Sequence, residues 1–338
     1  MGRENWLATR LASFPPSVPL QDDRVEALTL LRRAFLSETP SQERSARRAV
    51  AGGETAERLV PMEERLPGGN AGGAVLVGGT VRRPTGPWTP AVHALLRHLA
   101  DRGFEGVPRV LGTDEQGREV LSFLPGATVG LARPWPAWVH CDEALVQVGA
   151  WLRRYHDAVA DFVPPPQARW RTSRRHWRQG DVIGHNDAAP YNAVWENTAS
   201  GSDDTTRDGA GASGGRLVGF VDWDFAAPCP PLWDLAFVAF SWVPLHAREV
   251  VTAEGFTRFA DRPRRLRLLL DAYGHAGSVH SMLRAVSARI EEHARGLREL
   301  AAAGDPLFAR LVDDGVIDAL DRALAQLRED AATFEANT

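Results

Sequence analysis

Apolar positions along this chain recur first at helical spacing, then in short alternating runs, then at helical spacing again, and these changes of period predict its architecture. A helical pattern runs through residues 24–36, and a polar, arginine-rich stretch follows it to Gly53. From Leu66 the segment LPGGNAGGAVLVGGTVRRP interleaves glycine turns with β-branched runs, which predicts a strand hairpin bearing a glycine loop. Val92, Leu95, Leu96 and Leu99 then share one face of a helix predicted over 90–102, which Thr89 can cap and Gly103 can end. Two further strands are predicted over 107–111 and 119–123, separated by a turn at 114–117.

The second half is mainly helical. Leu145, Val148, Leu152 and Tyr155 line one face of a helix predicted over 142–159, and further helices are predicted over 264–272, 279–300 and 307 to about 332. Between residues 181 and 224 the pattern turns to short strands. Residues 196–215 are rich in Gly, Ser, Thr and Asp and almost free of apolar side chains, so a flexible surface insertion is expected there, at the tip of a hairpin formed by 193–195 and 217–223. The expected division is a partly helical extension over 1–55, a small nucleotide-binding lobe over 56–126, and a larger catalytic and acceptor-binding lobe over 127–338.

Composition narrows the function classes. The 338 residues are 44% hydrophobic, enough for a packed core. A net charge of -4 provides no general basic field, so no nucleic-acid partner is expected. No apolar run approaches a membrane span, and the opening MGRENWLATRL lacks the plan of a signal peptide, so a cytoplasmic protein with no membrane partner is expected. Cys141 and Cys229 lie far apart and read as buried small hydrophobes. Lysine is absent, so all 39 basic Lys-plus-Arg positions are arginine and any phosphate-binding cation must be a guanidinium. The pattern leaves the oligomeric state open.

Two segments carry candidate chemistry: GHNDAAPYN from Gly184 to Asn192, and GFVDWD from Gly219 to Asp224. Phosphoryl transfer needs a carboxylate near the attacking hydroxyl, oxygen ligands for Mg²⁺, and donors along the phosphates. Asp187 is the candidate that orients or deprotonates an acceptor hydroxyl, while Asn192 and Asp222 offer a neutral and a charged oxygen to Mg²⁺.

These segments resemble the H-G-D-x-x-x-x-N and I-D-W-[DE] motifs of the aminoglycoside phosphotransferase and choline kinase-like family, relatives of protein kinases. Some details are also similar to trifolitoxin immunity-like proteins. The resemblance spans about Leu66 to the carboxyl end and implies an α+β, protein kinase-like two-lobed fold, with an antiparallel sheet in the small lobe and a larger, mainly helical lobe. It implies a transferase that uses Mg²⁺ and ATP or GTP on a small-molecule acceptor. Asp187 is then the catalytic base, His185 fixes the catalytic loop beside it, Asn192 and Asp222 bind metal, and Asp234 is structural. Gly69, Asn70, Ala71 and Gly72 correspond to the glycine loop over the phosphates, and Phe123 lies where the nucleotide is expected.

The phosphate-binding cation falls at Arg82 or Arg83, and because side chains alternate along a strand only one can face the nucleotide; Arg82 is expected to be that one. The helix glutamate that usually steadies this cation is missing from 90–98, where His93 is the nearest polar candidate. Asn186 replaces a common glycine, and Cys229-Pro230-Pro231 replaces a common Gly-Asp-Pro, so the loop after Asp222 should differ in shape. A catalytically silent ligand binder on the same fold is the alternative to an enzyme. Glu291, Glu292, Asp313 and Asp314 could meet a cationic acceptor.

Overall fold

In the computed structural model, residues 63–66, 73–130, 133–173, 175–196 and 215–336 are described. The helix expected over 24–36, the glycine-loop residues Gly69, Asn70, Ala71 and Gly72, and the interior of the 196–215 insertion lie outside the described residues.

Strands β1 (Glu64–Arg65), β2 (Val75–Val77), β3 (Thr80–Arg83), β4 (Val110–Thr113) and β5 (Glu119–Ser122) form one antiparallel sheet in the order β1-β2-β3-β5-β4. Val77 pairs with Thr80 across a two-residue turn in which Gly78 and Gly79 both have positive φ, 56° and 78°, a conformation that glycine adopts without penalty. Helix α1 (Thr89–Asp101) packs beside β4 and buries Val92, Leu95, Leu96 and Leu99 as the spacing predicts. Thr89 starts the helix instead of capping it, and its Oγ1 accepts from Gly86 N at 2.9 Å.

After Phe123 the chain crosses to the larger part of the molecule, where Ala127 exchanges two backbone hydrogen bonds with Trp195. Helix α2 (Asp142–Ala158) begins at Cys141, whose buried sulfur accepts from Ala144 N, and packs on α5 (Arg262–Tyr273). Two short antiparallel pairs follow: β6 (Val182–Gly184) with β9 (Ala227–Cys229), and β7 (Ala193–Glu196) with β8 (Arg216–Phe220). Glu196 pairs with Arg216, so the two ends of the 196–215 segment leave adjacent strands.

Helices α3 (Pro231–Trp242), α4 (Arg248–Ala253), α6 (Val279–Ala302), α7 (Pro306–Asp313) and α8 (Val316–Ala336) complete the fold, with α6 packed against α3, α7 and α8. The single helix expected from 307 to about 332 is two helices, because Gly315 takes φ 81° between them. One hydrophobic cluster runs from Leu95 and Leu99 in α1 through Val148 and Leu152 in α2 to Leu320 in α8. The architecture is the protein kinase-like α+β fold with an antiparallel small-lobe sheet and a larger helical lobe. Among the described residues no helix is long and apolar enough to cross a membrane.

Candidate active site

A cavity of about 1650 Å³ is lined from the small lobe by Arg83, Glu119 and Phe123, and from the large lobe by Asp187, Asn192 and Asp222. Strand β6 ends at Gly184, and the loop that follows is bent by Asn186, which takes φ 61° where few residues other than glycine, Asn or Asp are comfortable. Its side-chain amide steadies that bend by donating to the carbonyls of Gly184 and Ala227 at 3.2 and 3.3 Å.

Asp234, fully buried on α3, holds the same loop by accepting from His185 N at 3.0 Å and Asn186 N at 2.7 Å. His156 on α2 gives it a third contact at 3.0 Å. Burial alone would push this carboxyl up, but the His156 contact and the Asn186 N–H hold it below the usual carboxylate range. Asp234 is therefore an anionic clamp joining α2, α3 and the loop.

His185 is buried against Trp223, with ring centroids 4.4 Å apart. Its Nδ1 accepts from Asp187 N at 3.3 Å, so the proton resides on Nε2, which donates to the Val221 carbonyl at 3.2 Å. Burial pushes the imidazole down to about 4, although the Asp234 charge opposes it. His185 is thus a neutral tie between the Asp187 loop and the strand leading to Asp222. It fixes position, and both of its nitrogens are already engaged.

Asp187 emerges from this loop with both carboxylate oxygens engaged by short-range neighbours. Tyr191 Oη donates to Oδ1 at 2.7 Å, and Asn192 Nδ2 donates to Oδ2 at 2.8 Å and to the Asp187 carbonyl at 2.9 Å. Burial pushes the Asp187 carboxyl up to about 7; the Asp222 charge adds to this, while the Tyr191 and Asn192 hydrogen bonds and Arg289 oppose it. Because both acceptors of the Asn192 amide are oxygens, its nitrogen must face Asp187, and its Oδ1 is the atom left for another ligand.

Asn192 O also accepts from Val221 N at 3.0 Å, which brings the Asp187 loop alongside Asp222. Asp222 itself takes φ 62° at the end of β8, a turn that ends the strand earlier than the expected 217–223. Burial pushes its carboxyl up and Asp224 adds to that, whereas Arg83 and Arg171 pull it down.

Of the two β3 arginines, Arg83 lines the cleft and Arg82 does not. Arg83 Nη2 lies 3.2 Å from Asp222 and 2.8 Å from Asp224, and its Nε lies 3.6 Å from Glu119. Arg82 faces the opposite side of β3, where its Nη1 donates to Thr80 Oγ1 at 2.5 Å and its Nε lies 3.7 Å from Asp114. The β3–β5 register explains the choice, since Arg83 stands directly opposite Glu119.

Glu119 is a site residue that the sequence reading missed. It supplies from a strand the acidic partner absent from α1, and His93 of that helix contacts Glu119 Oε2 at 2.8 Å, both side chains being buried. A signal was present: Glu119 shares the inward face of β5 with Leu121, an odd place for a carboxylate without a partner. Arg171 was also missed, and nothing local marks it. It pairs with Asp224 at 3.0 Å while lying 4.8 Å from the Trp88 ring and 5.2 Å from the Phe225 ring.

Comparisons place this geometry among known proteins. The trifolitoxin immunity protein of Rhizobium leguminosarum bv. trifolii is 37% identical over 213 residues, which cover 62% of this chain and 73% of that protein. The solved GDP complex of wild-type aminoglycoside 2'-phosphotransferase-IIIa superposes with a TM-score of 0.53 at 14% identity, covering 80% of this chain and 94% of that one. A GDP complex of a mutant of that enzyme gives a TM-score of 0.50 at 16% identity, with coverages of 84% and 96%. No family profile matches the chain.

Proposed function

The chain belongs to the trifolitoxin immunity protein family, built on a protein kinase-like fold, and from that premise we propose that it is a phosphotransferase, moving the γ-phosphoryl of ATP or GTP to a hydroxyl of a small-molecule acceptor in a Mg²⁺-dependent step. The observation that carries this reading is the grouping of Asp187, Asn192, Asp222 and Arg83 on one cleft, each oriented by a named neighbour. The GDP held by the structural relatives supports a nucleotide as the donor. A cytoplasmic location, where nucleotide is plentiful, suits the same reading.

The donor set fits Mg²⁺. Asn192 Oδ1 and the Asp222 carboxylate are hard oxygen ligands, and this ion needs only one or two protein carboxylates. Burial and the neighbouring Asp224 hold the Asp222 carboxyl above its usual range despite Arg83, and a divalent cation beside it would favour the ionised form. Asn192 and Asp222 would hold the ion, which would neutralise charge on the β- and γ-phosphates. Arg83, steadied by Glu119 and His93, would meet the phosphates with its planar fork.

Asp187 would accept the proton of the acceptor hydroxyl through a free lone pair of Oδ1, beside Tyr191. The new bond joins the acceptor oxygen to the γ-phosphorus. The bond broken joins that phosphorus to the oxygen bridging to the β-phosphate, and the nucleoside diphosphate leaves.

A silent binder remains the second reading, because Arg83 already spans Asp222 and Asp224. Neutral amides separate the two. Saturating Mg²⁺-nucleotide, at 100 times its dissociation constant, should stabilise the parent by about 2.7 kcal/mol. Asp222→Asn should lose most of this, whereas Asp187→Asn should keep it and lose turnover. Unchanged turnover in Asp187→Asn would remove the base assignment, and no Mg²⁺-dependent stabilisation of the parent would favour the silent binder.

A further inference from the structure

The cavity continues past Asp187 along α3 and α6, where the side chain nearest the Asp187 loop is a guanidinium set between aromatic rings. Trp233 and Phe237 lie one turn apart on α3 and so share a face of that helix. Arg289 of α6 lies 5.2 Å from each ring, and its Nη2 donates to the Asn186 carbonyl at 2.8 Å, one residue before Asp187. Among the described residues Arg289 has no carboxylate within ion-pair distance, although it adds positive potential at Asp187.

The carboxylates that line the same space, Asp187 apart, each already contact a guanidinium. Glu254 lies 3.6 Å from Arg133, and Arg295 pairs with both Glu292, at 2.5 Å, and Glu299. Glu119, Asp222 and Asp224 are held by Arg83 and Arg171. Apart from Asp187, every described carboxylate on the cavity wall therefore faces a guanidinium. Farther out, Glu291 pairs with Arg328 at 2.8 Å, and Asp314 lies 3.7 Å from Arg310. Of the acidic helix positions that suggested a cationic acceptor, Glu291, Asp313 and Asp314 are off the cavity wall, and Glu292 already contacts Arg295.

We propose that the acceptor alcohol carries no positive charge, that its apolar or aromatic body lies along Trp233 and Phe237, and that an anionic or carbonyl group of it faces Arg289. This rests on the phosphotransferase reading and specifies its substrate class. An ammonium group entering this space would meet Arg289 and would have to displace Arg133 or Arg295 from carboxylates they already hold. A carboxylate or carbonyl oxygen instead finds a guanidinium flanked by aromatic rings, whose charge-assisted hydrogen bonds are the strong kind.

The test compares acceptors of one shape and different charge. Transfer of labelled γ-phosphoryl, with Mg²⁺ present, is measured for para-nitrophenyl glucoside (neutral), glucuronide (anionic) and glucosaminide with its amine protonated (cationic), alongside kanamycin as a polycation. The neutral and anionic probes should exceed both cations at least tenfold in kcat/KM. Arg289→Gln should erase any lead of the glucuronide over the glucoside, and Arg289→Lys, which keeps the charge near the Asn186 carbonyl, should retain it. Better transfer to either cation overturns the assignment, and so does transfer to none of the four while Mg²⁺-nucleotide still stabilises the protein. Loss of that stabilisation would instead overturn the phosphotransferase reading itself.

Discussion

At the scale of single residues, Asp187 combines the position proposed for the base with an unusually weak acidity. A base whose carboxyl is pushed up to about 7 by burial is half ionised near neutrality, so kcat/KM should rise with pH through about 7 and then level off. The same shift carries a stability cost. Between the unfolded carboxyl's ordinary range, about 4, and about 7, the folded protein holds a proton that the unfolded chain has released, so stability of the nucleotide-free protein should fall as pH rises through that window. Urea melts across it should show a shallower slope in Asp187→Asn. For Arg83, the proposed phosphate cation, replacing a guanidinium that makes charge-assisted bonds removes about 1.5–3 kcal/mol, or roughly ten- to a hundredfold in affinity. Arg83→Met should weaken nucleotide binding by that factor in calorimetry, while Arg82→Met, on the opposite face of β3, should leave it within about twofold. Equal losses from the two variants would contradict the register.

At the scale of elements, two joints set the site. Asp234 ties α3 to the Asp187 loop and to His156 on α2. Leaving a buried hydrogen-bonding group without its partner costs about 1–3 kcal/mol, and Asp234→Asn, which keeps one acceptor oxygen in place of two, should lose stability on that order in denaturant melts and release the loop. The second joint is backbone on backbone: a Cβ on Gly219 of β8 would stand 1.9 Å from the Gly106 carbonyl, which accepts from Phe220 N at 3.0 Å. Gly219→Ala should therefore cost at least about 2 kcal/mol and displace the strand that delivers Asp222.

These joints also mark how far the sequence could be read. The helices with a clean apolar stripe, α1, α2 and α6, fall within a few residues of their expected bounds, because their burial follows local period. The Asp187, Asn192 and Asp222 triplet was legible because its members come from two short segments with fixed internal spacing. The Arg83 orientation and the Glu119 partner were not, since both follow from which strand lies beside which, a property of the β3–β5 pairing that no local window contains. Arg171 is a still more distant case, meeting Trp88 from 83 positions away in the chain by subtraction of their numbers.

At the scale of the whole molecule, the small-lobe sheet contributes Arg83 and its acidic support Glu119, and the helical lobe contributes the proposed base Asp187 and the proposed metal ligands Asn192 and Asp222. Neither half holds a complete set, so the chemistry depends on the lobes meeting at one cleft. The sequence places the chain in the trifolitoxin immunity protein family, and the fold is shared with a solved aminoglycoside 2'-phosphotransferase-IIIa. The most direct measurement is the rate at which labelled γ-phosphoryl passes from nucleotide to an acceptor alcohol in the parent and in Asp187→Asn. Positioned general bases contribute about a hundred- to ten-thousandfold, so the variant should transfer at least about a hundredfold more slowly while its melting shift with Mg²⁺-nucleotide stays that of the parent. Transfer by Asp187→Asn at the parent rate, with the same acceptor and the same melting shift, would contradict the account.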